Sequence, residues 1–241
     1  MARQSVGRGA KVQCEMGGQN PSVVLADADL DRAAKTIAYA AMGYAGQKRT
    51  ATSQVIAEDT VYEELRDRLF AAVEKLEVVD PGKVTCQVGP MIEEDSRSST
   101  LEALARSGGR ILIGGEPLDR DGFYLEPTLV ELEDLKDPLT QEEILAPVAG
   151  LLKAGSAEDA VQIANGIRQR HVAAVFTNDL DRAMEFAGRL EAGLVQVNSA
   201  TVGVDYHVPF EGSKDSGIGL KVQGPAARDF YTETRVISIS R

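Results

Sequence analysis

The chain has 241 residues, of which 43% are hydrophobic and 26% charged, and its formal net charge is −11. This length can bury a core, and the composition excludes intrinsic disorder. The acidic balance disfavours nucleic acid and anionic membrane surfaces as partners, because both would repel the average surface. No apolar run approaches the roughly 20 residues that span a bilayer, and the N-terminal residues lack the apolar core of a secretory signal. We therefore expect a soluble, cytoplasmic protein.

Short β-branched runs alternate with amphipathic helices along the chain. The pattern predicts strands at residues 22–26, 53–57, 148–152, 172–177 and 194–198, and helices at residues 30–45, 157–165 and 180–191. Strand–helix–strand alternation with short turns implies right-handed crossovers. We therefore predict an α/β fold with a mostly parallel twisted sheet and helices on both faces.

Polar residues and glycines mark the ends of these helices. The expected signals are Asp27 or Asp29 before the first helix, a capping box Thr60-x-x-Glu63 opening the second, a left-handed stop at Gly108-Gly109 closing the third, and Ser156 and Gly193 later in the chain.

Two segments depart from the alternation. Residues 200–219 are rich in glycine and polar side chains without a period, which predicts a long ordered loop of the kind that often carries function. The tail alternates from Ile237 onward, which predicts a half-buried strand at the end of the chain.

Four stretches share their order and spacing with one enzyme family. They are Glu15-Met-Gly-Gly-Gln-Asn-Pro21, Gly46-Gln-Lys-Arg-Thr-Ala-Thr52, Gln141-Glu-Glu-Ile-Leu-Ala-Pro-Val148 and His207-Val-Pro-Phe-Glu-Gly-Ser-Lys-Asp-Ser-Gly217. Together with shorter echoes between them, these motifs resemble the aldehyde dehydrogenase family. The segment Val12-Gln-Cys-Glu-Met-Gly-Gly18 is most similar to bacterial semialdehyde dehydrogenases that act on oxoglutarate-type semialdehydes.

The resemblance assigns Glu15 to the general-base position. Aldehyde oxidation needs a thiolate that attacks the carbonyl, a nicotinamide that takes the hydride, and a base-activated water that releases the acid. The adjoining Gly17-Gly18 turn allows close approach of a ligand, so Gly17 is expected to contact cofactor. The alternative is that Glu15 only ends a strand with a solvated carboxylate.

The resemblance also implies a cofactor contact in the third motif. Glu143 stands where the family binds the nicotinamide ribose hydroxyls, and Leu145 stands where an aromatic side chain usually packs. Read without the motif, Glu142 and Glu143 would be a solvated acidic pair.

The main departure from the family lies at Arg49, which replaces the nucleophilic cysteine. A guanidinium stays protonated and cannot act as a nucleophile. Loss of a covalent nucleophile costs on the order of a millionfold in rate in a comparable enzyme. We expect Arg49 to pair instead with Glu15 across the site. Neither Cys14, which should face away from Glu15, nor Cys86 is expected to replace the nucleophile. A disulfide between them is possible, but free thiols fit an acidic cytosolic chain better.

The substrate side of the site is implied by the last motif. By resemblance, Asn198 and Phe210 line the substrate funnel, although a turn-rich surface loop would also fit this segment. Glu211 replaces a glycine that is more usual in the family, which alters the expected funnel. His171 and His207 are too few for a His-based metal site, so no metal is expected, and His207 is expected to support the loop before Phe210.

The resemblance divides the chain into three parts. Residues 1–14 are expected to be a remnant of the cofactor-binding domain, residues 15–234 the catalytic domain, and residues 235–241 a C-terminal oligomerisation strand. NAD or NADP is the implied cofactor. The run Gly7-Arg-Gly9 lacks the third glycine of a dinucleotide fingerprint and no strand precedes it, so the chain alone is not expected to form a complete cofactor site.

These inferences predict a NAD(P)-dependent aldehyde or semialdehyde dehydrogenase that is truncated and catalytically impaired. A small aldehyde is the implied substrate, and a homo-oligomer is the implied assembly. One alternative is a non-catalytic interaction or assembly module that adds its C-terminal strand to a neighbour. Another is one half of a split dehydrogenase, with the cofactor domain on a separate polypeptide. A hydrolase or ligase that reuses Glu15 as a base is a third, without a Ser–His arrangement to support it.

Overall fold

The computed structural model describes residues 2–219 and 221–240. Met1, in the predicted segment 1–14, and Arg241, in the predicted segment 235–241, lie outside the described residues. Its helices are α1 (Ala2–Val6), α2 (Leu30–Met42), α3 (Asp59–Glu74), α4 (Glu94–Arg106), α5 (Pro138–Gln141), α6 (Ala157–Asn165), α7 (Leu180–Arg189) and α8 (Gly224–Tyr231). Its strands are β1 (Cys14–Glu15), β2 (Asn20–Val24), β3 (Thr52–Glu58), β4 (Arg110–Ile113), β5 (Thr128–Leu132), β6 (Val148–Ala154), β7 (Gln169–Arg170), β8 (Val172–Phe176), β9 (Leu194–Val197), β10 (Ser213–Lys214) and β11 (Gly217–Ile218).

Seven strands form one sheet in the order β4-β5-β6-β3-β2-β8-β9. All neighbours pair in parallel except β4, which pairs antiparallel with β5 at the edge. The crossover from β2 to β3 through α2 runs in one direction across the sheet, and that from β8 to β9 through α7 runs in the other. Since such crossovers are right-handed, the two helices cover opposite faces. The predicted α/β architecture is confirmed.

The core lies between this sheet and its helices. Every residue of β2 and β8 is buried, as expected for parallel strands covered on both faces. The predicted apolar stripe of α2 is buried against the sheet, including Ala33 and Ile37. Full burial of a side chain such as that of Ile37 stabilises the fold by about 1.5–3 kcal/mol.

The helix ends confirm some of the predicted caps and correct others. Asp29 caps α2 by accepting from the backbone N–H of Arg32, and Ser156 caps α6 by accepting from that of Asp159. The capping box at Thr60 is wrong, because α3 begins one residue earlier, at Asp59, without a side-chain cap.

The left-handed stop predicted at Gly108-Gly109 is also wrong. Helix α4 ends in an extended residue, Ser107, and neither glycine has a positive φ. Instead, the Asp137 carboxylate accepts hydrogen bonds from the Ser107 hydroxyl and from the Gly108 N–H, at 2.9 and 2.8 Å. The partner that fixes this end lies 30 residues from Ser107 in sequence, which no local pattern reveals.

The C-terminal tail differs from its prediction. Residues 232–240 are exposed and contain no strand. A strand needs a neighbour for its backbone hydrogen bonds, and the tail pairs with no strand in the described part of the chain. The half-buried strand predicted from Ile237 onward is therefore wrong for the single chain.

The long loop at residues 200–219 is confirmed, with only the two-residue strands β10 and β11 inside it. Within the described ranges, no helix has the length and apolarity that would let it cross a membrane.

Candidate active site

The predicted motifs converge at the amino ends of four parallel strands. Gly17-Gly18 precedes β2, Arg49 precedes β3, Glu143 precedes β6, and His171 directly precedes β8. Because these strands are parallel neighbours in the sheet, their amino ends share one edge. The topology therefore brings together residues that lie more than a hundred positions apart in the chain.

The buried side chain of Asn20 fixes the main chain around position 49. Its Nδ2 donates to the carbonyl oxygens of Arg49 and Ala51, each at 2.8 Å. Its Oδ1 accepts from the backbone N–H of Val172 at 3.0 Å. One amide thus joins the start of β2 to the loop before β3 and to the start of β8. The motif containing Asn20 was recognised in the sequence, but this role was not predicted.

A strained turn leads into the Arg49 loop. Tyr44 and Ala45, within the 3-10 turn Gly43–Gly46, have φ values of 64° and 52°. Non-glycine residues in this left-handed region are costly and are retained where the surroundings fix them. Gly46 lies so close to the neighbouring segment that an added Cβ would stand 1.8 Å from the carbonyl oxygen of Ala146. The loop is therefore held tightly against the segment that follows Glu143.

Arg49 and Glu15 form the expected ion pair. Nη2 of Arg49 donates to Oε2 of Glu15 at 2.5 Å, well inside the 6 Å range of direct electrostatic pairing. Glu15 lies on β1, which pairs antiparallel with β11, so that Glu15 is opposite Gly217. The two side chains remain 38% and 31% exposed, respectively, which leaves both accessible to a ligand.

Neither thiol contacts this ion pair in the described part of the chain. Cys14 and Cys86 are both free. Cys14 neighbours Glu15 on β1, and adjacent strand residues point to opposite faces. The Cys86 thiol donates to the carbonyl oxygen of Val79 at 3.2 Å, in a different region of the chain.

Glu143 faces the Glu15 motif. Its Oε1 accepts from the backbone N–H of Gly18 at 2.8 Å, and its Oε2 lies 2.0 Å from where a Cβ on Gly17 would stand. The neighbouring Glu142 instead pairs with Arg106 at 2.7 Å, and this guanidinium lowers the pKa of the Glu142 carboxyl. The two glutamates are therefore not an equivalent solvated pair. Leu145 is 41% exposed, and the cofactor roles of these residues stay predictions.

His171 lies buried behind the ion pair. Its ring packs edge-on against Phe210, with centroids 4.5 Å apart, and neither ring nitrogen has a hydrogen-bond partner. Burial and the Arg49 charge lower the pKa of His171 to about 4, so that the imidazole is neutral at pH 7. The histidine that packs against Phe210 is His171. His207, which the sequence predicted to support this loop, is exposed and pairs with Asp205.

Glu211, which replaces a glycine usual in the family, is also buried. Its side chain is 2% exposed, and neither carboxylate oxygen has a hydrogen-bond partner. Burial raises the pKa of Glu211 against the opposing charge of Lys221, and the negative charge of Glu15 adds to the rise. The sequence pointed to this position only as an altered funnel residue, and its isolation was not predicted.

The predicted funnel residues have structural partners. The amide of Asn198 accepts from the N–H of Thr177 and donates to its carbonyl oxygen, at 3.0 and 2.8 Å. It thus ties the end of β9 to the end of β8, with Asn198 itself at a φ of 51°. Phe210 is buried against His171. Their roles toward a substrate stay predictions.

These contacts define what the site can do chemically. A cation stands where the motif places the nucleophile, and the expected general base is its counter-ion. Both groups are suited to binding charged ligands, and neither supplies a thiolate.

A model of the aldehyde dehydrogenase family matches residues 1–237. The chain belongs to the aldehyde dehydrogenase family. It is 35% identical to the alpha-ketoglutaric semialdehyde dehydrogenase of Bacillus subtilis, over 99% of this chain and 50% of that protein. It is 33% identical to the 2,5-dioxopentanoate dehydrogenase of Saccharolobus solfataricus, over 95% of this chain and 49% of that protein. The resemblance inferred from the motifs is confirmed.

A solved structure shares the fold. The aldehyde dehydrogenase of Mycobacterium tuberculosis, complexed with NAD+, superposes with a TM-score of 0.91 at 27% identity, covering 96% of this chain and 48% of that one. The chain spans about half the length of the curated relatives that it matches.

Proposed function

We propose that this chain is the catalytic-domain portion of a semialdehyde dehydrogenase-type protein that has lost thiol-dependent aldehyde oxidation. The observation that carries the proposal is the 2.5 Å ion pair between Arg49 and Glu15. It puts a guanidinium against the carboxylate that the family motif assigns as base, at the place where a thiolate would have to stand.

The missing thiolate removes the first step of the reaction. Without a sulfur nucleophile there is no thiohemiacetal from which hydride can leave and no thioester for a base to hydrolyse. Glu15 is also paired with Arg49, so its carboxylate oxygen Oε2 is occupied by the guanidinium. Both chemical roles of the site are therefore changed by the same residue.

The cofactor that the family resemblance implies is NAD or NADP, which would supply a hydride acceptor when bound. The residues present fit one end of it, because the Glu143 carboxylate beside the Gly17-Gly18 turn can accept hydrogen bonds from sugar hydroxyls. Residues 7–9 form a turn after α1, whereas a pyrophosphate loop joins a strand to a helix. We therefore propose that the pyrophosphate contacts come from outside the described residues.

The proposed division of the chain is the one that the family resemblance implies. Residues 1–14 belong with a cofactor-binding domain, residues 15–234 form the catalytic domain, and residues 235–241 form an oligomerisation segment. Strand β1 (Cys14–Glu15) spans the first of these boundaries and pairs with β11, outside the central sheet. The free cysteines and the acidic composition support a cytoplasmic location.

The test is NADH or NADPH formation from alpha-ketoglutaric semialdehyde, the substrate class named for the Bacillus subtilis relative. The chain is assayed alone and mixed with the N-terminal half of that relative. Wild type should form no reduced cofactor in either case. Arg49→Cys should also be inactive alone but should gain activity with the added half, whereas the matched control Arg168→Cys, at an exposed site, should not. Turnover by wild type within a few-fold of an ordinary dehydrogenase would refute the proposal.

A second candidate function is assembly, favoured by the exposed apolar tail. Val236, Ile237 and Ile239 are between 76% and 87% exposed, and β9 is an open edge of the sheet. A tail strand from one copy can add to a sheet edge of another. Size-exclusion with light scattering should show an oligomer that Ile237→Asp and Ile239→Asp dissociate, with Ser238→Asp as the matched control. A strict monomer would contradict this candidate.

A further inference from the structure

The Arg49 guanidinium uses little of its bonding capacity. Of its five N–H donors, the described part of the chain engages only one on Nη2, which donates to Glu15. The side chain is 38% exposed, so the remaining donors face solvent. A guanidinium presents these donors as a planar fork that matches a carboxylate bidentately. Without a ligand, the site therefore contains a guanidinium group that can still donate hydrogen bonds to an anion.

The position of the Arg49 guanidinium suits a carboxylate ligand. In the family's reaction the cysteine sulfur at the position of Arg49 attacks the carbonyl carbon of the aldehyde, and that carbon becomes the carboxylate carbon of the acid product. A cation at this position faces the place where the product carboxylate is formed. The substitution thus exchanges a group that reacts with an aldehyde for one that binds an acid.

Two positively charged side chains lie near this site. Burial lowers the pKa of His171 most, and the positive charges of Arg49 and Lys221, which lie on two separate segments, lower it further, while the charge of Glu15 opposes them. Glu211, a nearby second carboxyl, is buried without a hydrogen-bond partner among the described residues, and this burial raises its pKa. Among the described residues, Glu15 is the carboxylate that pairs with Arg49.

We propose that this site binds small carboxylates by exchanging the Glu15 partner of Arg49 for the ligand. The proposal rests on the proposed function, because it takes position 49 as the place of the lost nucleophile. Binding couples to the ion pair: the ligand carboxylate takes the guanidinium fork, and Glu15 moves into solvent, where its 31% exposed side chain already has access. No covalent step is involved.

The experiment is a titration of the full 241-residue chain with 2-oxoglutarate. Binding is measured by calorimetry and by the chemical shift of the Arg49 Nε–Hε signal in NMR. Saturable binding with a shift of that signal is expected. Arg49→Gln should weaken binding at least tenfold, because the charge-assisted pair is lost. Arg49→Lys should weaken it by a smaller factor, since the charge stays but the fork is gone. Glu15→Gln should tighten binding by up to about fivefold, because an exposed competing ion pair is removed.

The controls distinguish this site from general anion binding. Arg168→Gln, which removes an exposed arginine paired with Asp215, should bind like wild type. Inorganic phosphate and the dimethyl ester of 2-oxoglutarate should not compete. Absence of 2-oxoglutarate binding, binding unchanged in Arg49→Gln, or equal binding of phosphate would each overturn the proposal.

The two proposals fail separately. Formation of NADH by wild type overturns the proposed loss of oxidation whatever binds at Arg49. If wild type forms no NADH and also does not bind 2-oxoglutarate, only the proposed carboxylate site is overturned.

Discussion

Asn20 and Arg49 are joined by a hydrogen bond that sets the geometry of the site, since the Asn20 amide donates to the carbonyl oxygen of Arg49 at 2.8 Å. The same amide reaches Ala51 and Val172, so it holds three strand starts in register. The position of the Arg49 side chain is therefore determined by main-chain contacts as well as by its ion pair with Glu15.

Asn20→Ala should destabilise the fold by about 3 kcal/mol, because it leaves two carbonyl oxygens and one N–H buried without partners. Urea unfolding at constant m-value measures this loss. The control Asn178→Ala, at an exposed side chain, should stay within about 0.5 kcal/mol of wild type. A loss for Asn20→Ala no larger than that of the control would show that the amide does not hold this junction.

Gly17→Ala should displace the Glu143 carboxylate, since the new Cβ would lie 2.0 Å from Oε2. The hydrogen bond from the Gly18 N–H to Oε1 should break, with a loss of about 1 kcal/mol and an upfield shift of the Gly18 amide proton. Gly188→Ala is the matched control, because nothing lies within 4 Å of its added Cβ. That helical site should gain about 0.5–1 kcal/mol. An unshifted Gly18 amide in Gly17→Ala would contradict the contact.

The buried His171 should make stability fall on acidification. Its pKa in the folded chain is about 4, below the unfolded value of 6.5, so the unfolded chain binds the proton more tightly. The contribution is complete above pH 6.5 and is lost as the pH falls toward 4. His171→Leu should remove this component from unfolding curves measured between those pH values, and His207→Leu should keep it. Parallel pH profiles for wild type and His171→Leu would be inconsistent with a buried neutral imidazole.

Glu211 should act in the opposite direction. Its pKa in the folded chain is raised, so the folded chain holds the proton more tightly, and stability falls as the pH rises through the folded pKa. Glu211→Gln should therefore be more stable than wild type at pH 8, and the difference should shrink as the pH falls through the folded pKa and be lost below the unfolded value near 4.5. The exposed control Glu116→Gln should change stability by less than about 0.5 kcal/mol. A destabilised Glu211→Gln at pH 8 would mean that Glu211 has an ionic partner.

The part of the fold in which strands alternate with helices could be predicted from the sequence, because its signals are local. Strand β8 and helix α7 carry the expected β-branched and apolar periods. Strands β4 and β5 were missed: β4 has only four residues, two of them exposed, and forms an edge. Its existence depends on pairing with β5, which is a tertiary contact.

The candidate site divides in the same way. The convergence of Glu15 and Arg49 could be inferred, because each lies in a recognisable motif of known order. The roles of Asn20, His171 and Glu211 could not. Asn20 bonds main-chain groups up to 152 residues away in sequence, and the burial of the unpartnered His171 and Glu211 side chains depends on how residues 200–219 fold over the sheet edge. The tail was misjudged because alternation shows the capacity to pair and not the presence of a partner.

The central claim is that position 49 is the nucleophile position and that Arg49 silences it. The most direct measurement is acetyl transfer from p-nitrophenyl acetate, followed by p-nitrophenolate release and by peptide mass spectrometry, because it needs no nicotinamide cofactor. Arg49→Cys should show a burst and carry one acetyl group at position 49, while wild type should show neither. A burst from wild type with acetylation of Cys14 or Cys86, or no preference for position 49 in the variant, would contradict the account.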